Sequence, residues 1–204
     1  MPTIVLDGSW MEGVVKKLLA EGNRTHDEVW EGVTYLMPQP DNDHERIAAF
    51  FIRVFSLLFG MDTASSVQGT ANLSDRVENW KENYRNPSMA YFAADTDAED
   101  HDSFWYGGPD FLLEIVSPND MSREKLPFYA GIGTKEVLIL DRDPWQLELY
   151  QLRRGKLRLA GAAKPSDGHA LASGVVPLSF SLVRGKPRPK IRITHTPDGQ
   201  EWTF

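Results

Sequence analysis

Asp110, Glu114 and Lys125 stand within one short stretch near the middle of the chain. The two acids bracket and interrupt the run Phe111-Leu112-Leu113-Glu114-Ile115-Val116, which is otherwise apolar and is closed by Ser117-Pro118. Such a run ended by Ser-Pro predicts a buried strand, because a proline restricts the residue before it and stops the ladder. Glu114 then sits inside a sheet, where an ionised carboxylate is costly unless it is paired, hydrogen-bonded or bound to a metal. Strand residues four apart lie on one face, so Asp110 and Glu114 point the same way. Two acids on one face are what a magnesium site requires. Lys125 follows at or just inside the helix predicted after the loop. Each residue also has an ordinary role open to it: a turn cap for Asp110, an arginine partner for Glu114, a solvated surface for Lys125.

The elements that must position these residues can be read in order. Ser9-Trp10-Met11-Glu12 has the spacing of a capping box and predicts a first helix from about Ser9 to Glu21. Glu28 to Met37, with Glu31-Gly32 at its centre, predicts a hairpin. Asn42-Asp43-His44-Glu45 opens the strongest helix, whose stripe of Ile47, Phe50, Phe51, Val54, Phe55 and Leu58 runs to Gly60. Residues 67–83 carry a weak pattern, and Asn86 to Phe92 reads as a strand entered through Pro87. Val137 to Asp141 is a second apolar strand, followed by strands turned at Arg142-Asp143-Pro144-Trp145 and Arg153-Arg154-Gly155-Lys156. The C-terminal part adds strands around Val175–Phe180 and Ile191–Ile193 and a turn at Pro197-Asp198-Gly199.

At 204 residues the chain suits one domain. It has no cysteine, which removes disulfides and thiolate chemistry. The start, Met1-Pro2-Thr3-Ile4-Val5-Leu6-Asp7, lacks the basic and apolar blocks of a signal peptide, and Ile47 to Phe59 is interrupted by Arg53 and too short to span a bilayer. A cytoplasmic protein with no membrane partner is the expectation. The formal net charge of −7 argues against coating nucleic acid by charge alone.

Taken together, Asp27-Glu28-Val29-Trp30-Glu31-Gly32, His44-Glu45-Arg46-Ile47, Gly108-Pro109-Asp110 through Glu114-Ile115-Val116-Ser117-Pro118 and Lys125-Leu126-Pro127-Phe128-Tyr129 resemble the PD-(D/E)XK nuclease superfamily. The likeness is closest to its bacterial family of restriction endonucleases and covers about residues 24–160, with 161–204 as a C-terminal β extension. The resemblance implies an α/β fold: a restriction endonuclease-like core with a mixed central sheet flanked by helices and added β-hairpins. Glu114 matches the second acid of the superfamily. Its lysine normally follows two positions later; Val116 stands there, and Lys125 matches the lysine displaced to the following helix. Ser88 stands where the family commonly has an aspartate, which removes one carboxylate from the first shell of a metal. Asp110, or a glutamate of the hairpin or helix such as Glu28 or Glu45, would have to compensate, with His44 as a further supporting side chain.

The function implied is a metal-dependent endonuclease acting on DNA, with Mg²⁺ or Mn²⁺ as cofactor and, by analogy with enzymes that cut both strands, a homodimer. Glu114 and a partner acid would hold the ion, which lowers the pKa of a bound water, and Lys125 would stabilise the developing charge. The alternative is a catalytically impaired nuclease fold that serves as a binding or interaction module. Ser122-Arg123-Glu124-Lys125 has the spacing of an acylating serine enzyme but lacks that class's other motifs. The five histidines have no paired zinc spacing. Asp95 to Asp102 lacks the glycine and glutamate of a calcium loop and reads as a solvated acidic loop.

Overall fold

Two apolar runs with no polar face to offer water must lie inside a sheet. The computed structural model, which describes residues 4–6, 13, 26–37, 40–60, 64–117 and 121–204, sets them side by side as Phe111–Ile115 and Glu136–Arg142. In chain order the strands are β1 Ile4–Leu6, β2 His26–Trp30, β3 Val33–Met37, β4 Ser66–Gln68, β5 Leu73–Ser74, β6 Tyr84–Arg85, β7 Met89–Phe92, β8 Glu99–Asp100 and β9 Trp105–Tyr106. They continue with β10 Phe111–Ile115, β11 Glu136–Arg142, β12 Trp145–Arg153, β13 Lys156–Ala163, β14 Ala170–Ala172, β15 Leu178–Val183, β16 Lys190–His195 and β17 Glu201–Thr203. A long helix spans Asn42–Phe59 and a short one Leu126–Gly131.

The central sheet has the order β13-β12-β11-β10-β7-β4. β10 runs parallel to β11 and antiparallel to β7, so the sheet is mixed, as the family resemblance implied. The short helix lies in the crossover that the parallel β10–β11 pair requires. A second sheet, β1-β3-β2-β6-β5-β9-β8, carries the predicted hairpin, and β14 to β17 form a third. The hairpin turns at Glu31-Gly32 with φ of 48° and 81°, the left-handed pair that suits the twist of two antiparallel strands.

The pleat of β10 sorts its residues. Phe111, Leu113 and Ile115 join the core under the long helix, while Leu112 faces Tyr129, Val137 and Ile139 on the opposite side. Phe55 and Phe111 approach with ring centroids 5.0 Å apart, and Phe111 packs on Phe180 of the third sheet at 5.4 Å. The cap of the long helix lies one residue before the predicted one: Asp41 accepts from the backbone N–H groups of Asp43 and His44 at 3.0 and 2.8 Å. It ends at Gly60, whose N–H bonds to the Ser56 carbonyl.

Residues 67–83 hide β5, most of β4 and a 3₁₀ turn at Trp80–Glu82, pieces too short to leave a periodic trace. The helix predicted from about Ser9 to Glu21 lies outside the described residues. No helix among the described residues is long and apolar enough to cross a membrane. The acidic stretch forms exposed β8 and its turns, and no group of three potential metal-ligating side chains occurs there or elsewhere among the described residues.

Candidate functional site

Glu114 lies on the even-numbered face of β10, so the pleat turns it away from the long helix and towards the short one. The short helix begins just after Lys125, and Lys125 and Tyr129 are four residues apart, hence on one face. Both reach Glu114. Tyr129 donates to its Oε1 at 2.5 Å, and the Lys125 Nζ stands 3.2 Å from the same oxygen. Burial, then the charges of Glu114 and Glu28, push the Tyr129 phenol well above its usual value, which keeps it a donor.

Lys125 also donates to Glu28 Oε1 at 2.7 Å. Glu28 projects from β2, in the second sheet, and its other partners are the N–H of Asn86 at 3.0 Å and the indole N–H of Trp30 at 2.8 Å. Beneath this pair the Arg85 guanidinium is sandwiched 4.3 Å from the Trp30 ring and 4.2 Å from that of Phe128. One ammonium thus joins carboxylates from two sheets. All three side chains are buried: Lys125 is 6% exposed, Glu28 2% and Glu114 4%.

Ser88 stands on the other side of Glu114. β7 and β10 pair Met89 with Leu113, and continuing that register by one residue sets Ser88 beside Glu114. Its Oγ accepts from the N–H of Ile115 at 3.1 Å and lies 3.3 Å from His44 Nε2. Glu28, His44, Glu45, Ser88, Glu114 and Lys125 all line one cavity of about 180 Å³, whose opposite wall is apolar and includes Met37, Ala48 and Ile52. Glu45 is at its rim, 61% exposed and 3.9 Å from His44 Nδ1.

Asp110 is not in this cavity. It shares the Glu114 face, but four residues of strand separate them by roughly 13 Å, too far for carboxylates to share an ion bound at about 2.1 Å. Its oxygens are held instead by Lys135 Nζ at 2.5 Å and the N–H of Ala93 at 2.8 Å. Spacing alone established the face and not the reach. Tyr129, Asn86, Trp30 and Arg85 were missed as site residues. The interval from Lys125 to Tyr129 is the signal that could have found one of them, whereas the others depend on how two sheets dock.

A family model described as "Uma2: Putative restriction endonuclease" matches residues 16–182. The chain belongs to the Uma2 family. Among solved structures it is similar to a "putative nuclease belonging to DUF820" from Anabaena variabilis ATCC 29413, with a TM-score of 0.56 and 14% identity. That match covers 72% of this chain and 80% of the other, and at that identity it establishes a shared fold. No curated protein matches the sequence. The Uma2 assignment makes the chain a restriction endonuclease-like protein.

A resident divalent ion does not fit the donors this Uma2 chain presents. Ser88 supplies a neutral hydroxyl beside Glu114 in place of a second carboxylate, and that hydroxyl is engaged by His44 and Ile115. Of the other acids that line the cavity, Glu45 stands exposed at its rim, and Glu28 lies across Lys125 with both of its oxygens already accepting. A hard cation of the magnesium type favours several oxygen ligands, carboxylates among them, and here the ammonium of Lys125 occupies the space between the two acids.

Proposed function

We propose that this Uma2 protein is a DNA-directed nuclease fold whose hydrolytic centre is incomplete, so that it binds DNA as a recognition or interaction module and cuts it poorly. The observation that carries this reading is Ser88 beside Glu114, with Lys125 bonded to both glutamates. Calorimetric titration of Mg²⁺ and Mn²⁺, with plasmid nicking on the same samples, tests it. Wild type is expected to bind neither ion at about millimolar concentration and to leave the plasmid intact. Ser88→Asp, which puts a second carboxylate beside Glu114, is expected to gain both properties.

A metal-dependent endonuclease using Mg²⁺ or Mn²⁺ is the second reading. It is favoured by the Glu114–Lys125 pair, 3.2 Å apart and lining an open cavity. Saturable ion binding and nicking by wild type, both lost in Glu114→Ala, would support it and sink the first.

A further inference from the structure

A second cavity of about 410 Å³ adjoins the first, and Asn86 lines both. Its walls include Asp27, Asn72, Trp80, Lys81 and Tyr84. Trp80 ends an aromatic ladder: its ring stacks on Phe104 at 4.7 Å and 14°, and Phe104 stacks on His101 at 4.9 Å and 13°. Tyr84 meets Trp80 edge-on at 5.5 Å, and the Lys81 ammonium lies 5.7 Å from the Trp80 ring centroid. The turn that presents Trp80 and Lys81 is fixed from below. Buried Asn83 donates to Glu31 at 2.8 Å and to Asp75 at 3.0 Å, and its carbonyl accepts from Ser74 at 2.9 Å. Asn86 donates to the Asn72 side chain at 3.2 Å, which in turn donates to the Ser103 carbonyl at 2.9 Å.

We infer that this cavity is a nucleobase subsite, in which an unpaired base of single-stranded DNA stacks at Trp80 while its backbone passes Asn86 towards Glu114 and Lys125. The inference rests on the DNA reading above and names how the strand is held. An aromatic ring on a rigid turn with an adjacent cation is the platform that single strands use, since every base has a π face. Asparagine amides and a carboxylate suit base edges, the amide pairing with adenine and the acid accepting from the cytosine amino group. A phosphate suits this cavity poorly, because Asp27 offsets the charge of Lys81. A base enters only when unpaired, so single strands are favoured over duplex.

The experiment uses the full chain and a fluorescein-labelled single-stranded oligonucleotide, read by anisotropy for total binding and by tryptophan fluorescence for stacking. Wild type is expected to bind the single strand more tightly than the duplex of the same sequence, with quenching. Trp80→Leu is expected to lose the quenching and about tenfold or more in affinity. Lys81→Gln, an exposed change that leaves the fold alone, removes the cation beside the stacked base and is expected to weaken single-strand binding about two- to fivefold. It decides the matter should Trp80→Leu fail to fold. Binding of DNA that is unquenched and indifferent to both substitutions would overturn the subsite and leave the DNA reading standing. Absence of any binding to either form would overturn both.

Discussion

Replacing Lys125 by methionine keeps an unbranched apolar stem of similar packing and removes the ammonium group. The ammonium lies 2.7 Å from Glu28 and 3.2 Å from Glu114, and all three side chains are less than a tenth exposed. Solvent screening therefore rescues little. Removing one partner of a buried ion pair costs about 3–5 kcal/mol, because the surviving charge has lost its compensation. Two carboxylates lose theirs here, which places Lys125→Met in the upper part of that interval. For a chain of this size about 1 kcal/mol moves the melting temperature by roughly 2–4 °C, so a fall of about 8–20 °C is expected.

The deficit belongs to the stranded carboxylates, so it depends on how many of them remain charged and buried without a partner. Glu28→Gln combined with Lys125→Met is expected to be milder than Lys125→Met alone, since it removes one of the stranded charges. A Lys125→Met variant within about 1 kcal/mol of wild type, or a double variant no milder than Lys125→Met alone, would refute the reasoning.

Two further outcomes test the supports of the site. Tyr129→Phe deletes the 2.5 Å donor to buried Glu114 and is expected to cost about 1.5–3 kcal/mol by urea unfolding, the range for a hydrogen bond to a charged group. Asp41→Ala removes the cap of the long helix and its bond to Arg142 and is expected to cost about 1 kcal/mol. The Arg142 hydrogen bond, with help from the two backbone donors, holds the Asp41 carboxyl down at about 2. A depressed folded-state pKa gives stability that is present above the unfolded value and lost as pH falls through the folded one. Wild type should therefore lose this contribution between about pH 4 and pH 2, and Asp41→Ala should lack that part of the acid sensitivity when the two unfolding curves are compared.

The central strand was legible because its composition leaves one solution. Phe111 to Ile115 can shed water on both faces only in a sheet interior, and Ser117-Pro118 marks where the ladder stops. The long helix was legible for a similar reason, its apolar stripe and acidic start admitting no other period, although the cap proved to be Asp41. The turn at Glu31-Gly32 announced itself through the glycine. The second sheet did not. β5, β6 and β9 have two residues each, and their order in the sheet depends on pairings between distant segments, such as Leu73 with Trp105. Asp110 stands apart from Glu114 for a related reason: period two assigns a face, but the distance along that face and the arrival of Lys135 are matters of tertiary structure.

The displaced lysine ties these observations together. At the position two residues beyond Glu114 a side chain would belong to the same strand, and Val116 instead packs there against the apolar cluster around Leu112 and Tyr129. From the start of the short helix, Lys125 can reach a carboxylate of the central sheet and one of the second sheet together. Glu28 strengthens the same seam by accepting from the N–H of Asn86, which leads into β7. The seam therefore does two things: it docks the hairpin sheet on the core, and it fixes the lysine against Glu114. A substitution that separates these roles is informative. In a Ser88→Asp background, Glu28→Gln keeps the shape of the seam while weakening its hold on Lys125. If nicking gained by Ser88→Asp then falls while the melting temperature barely moves, the hairpin acid positions the lysine for chemistry. If both fall together, its role is to hold the sheets.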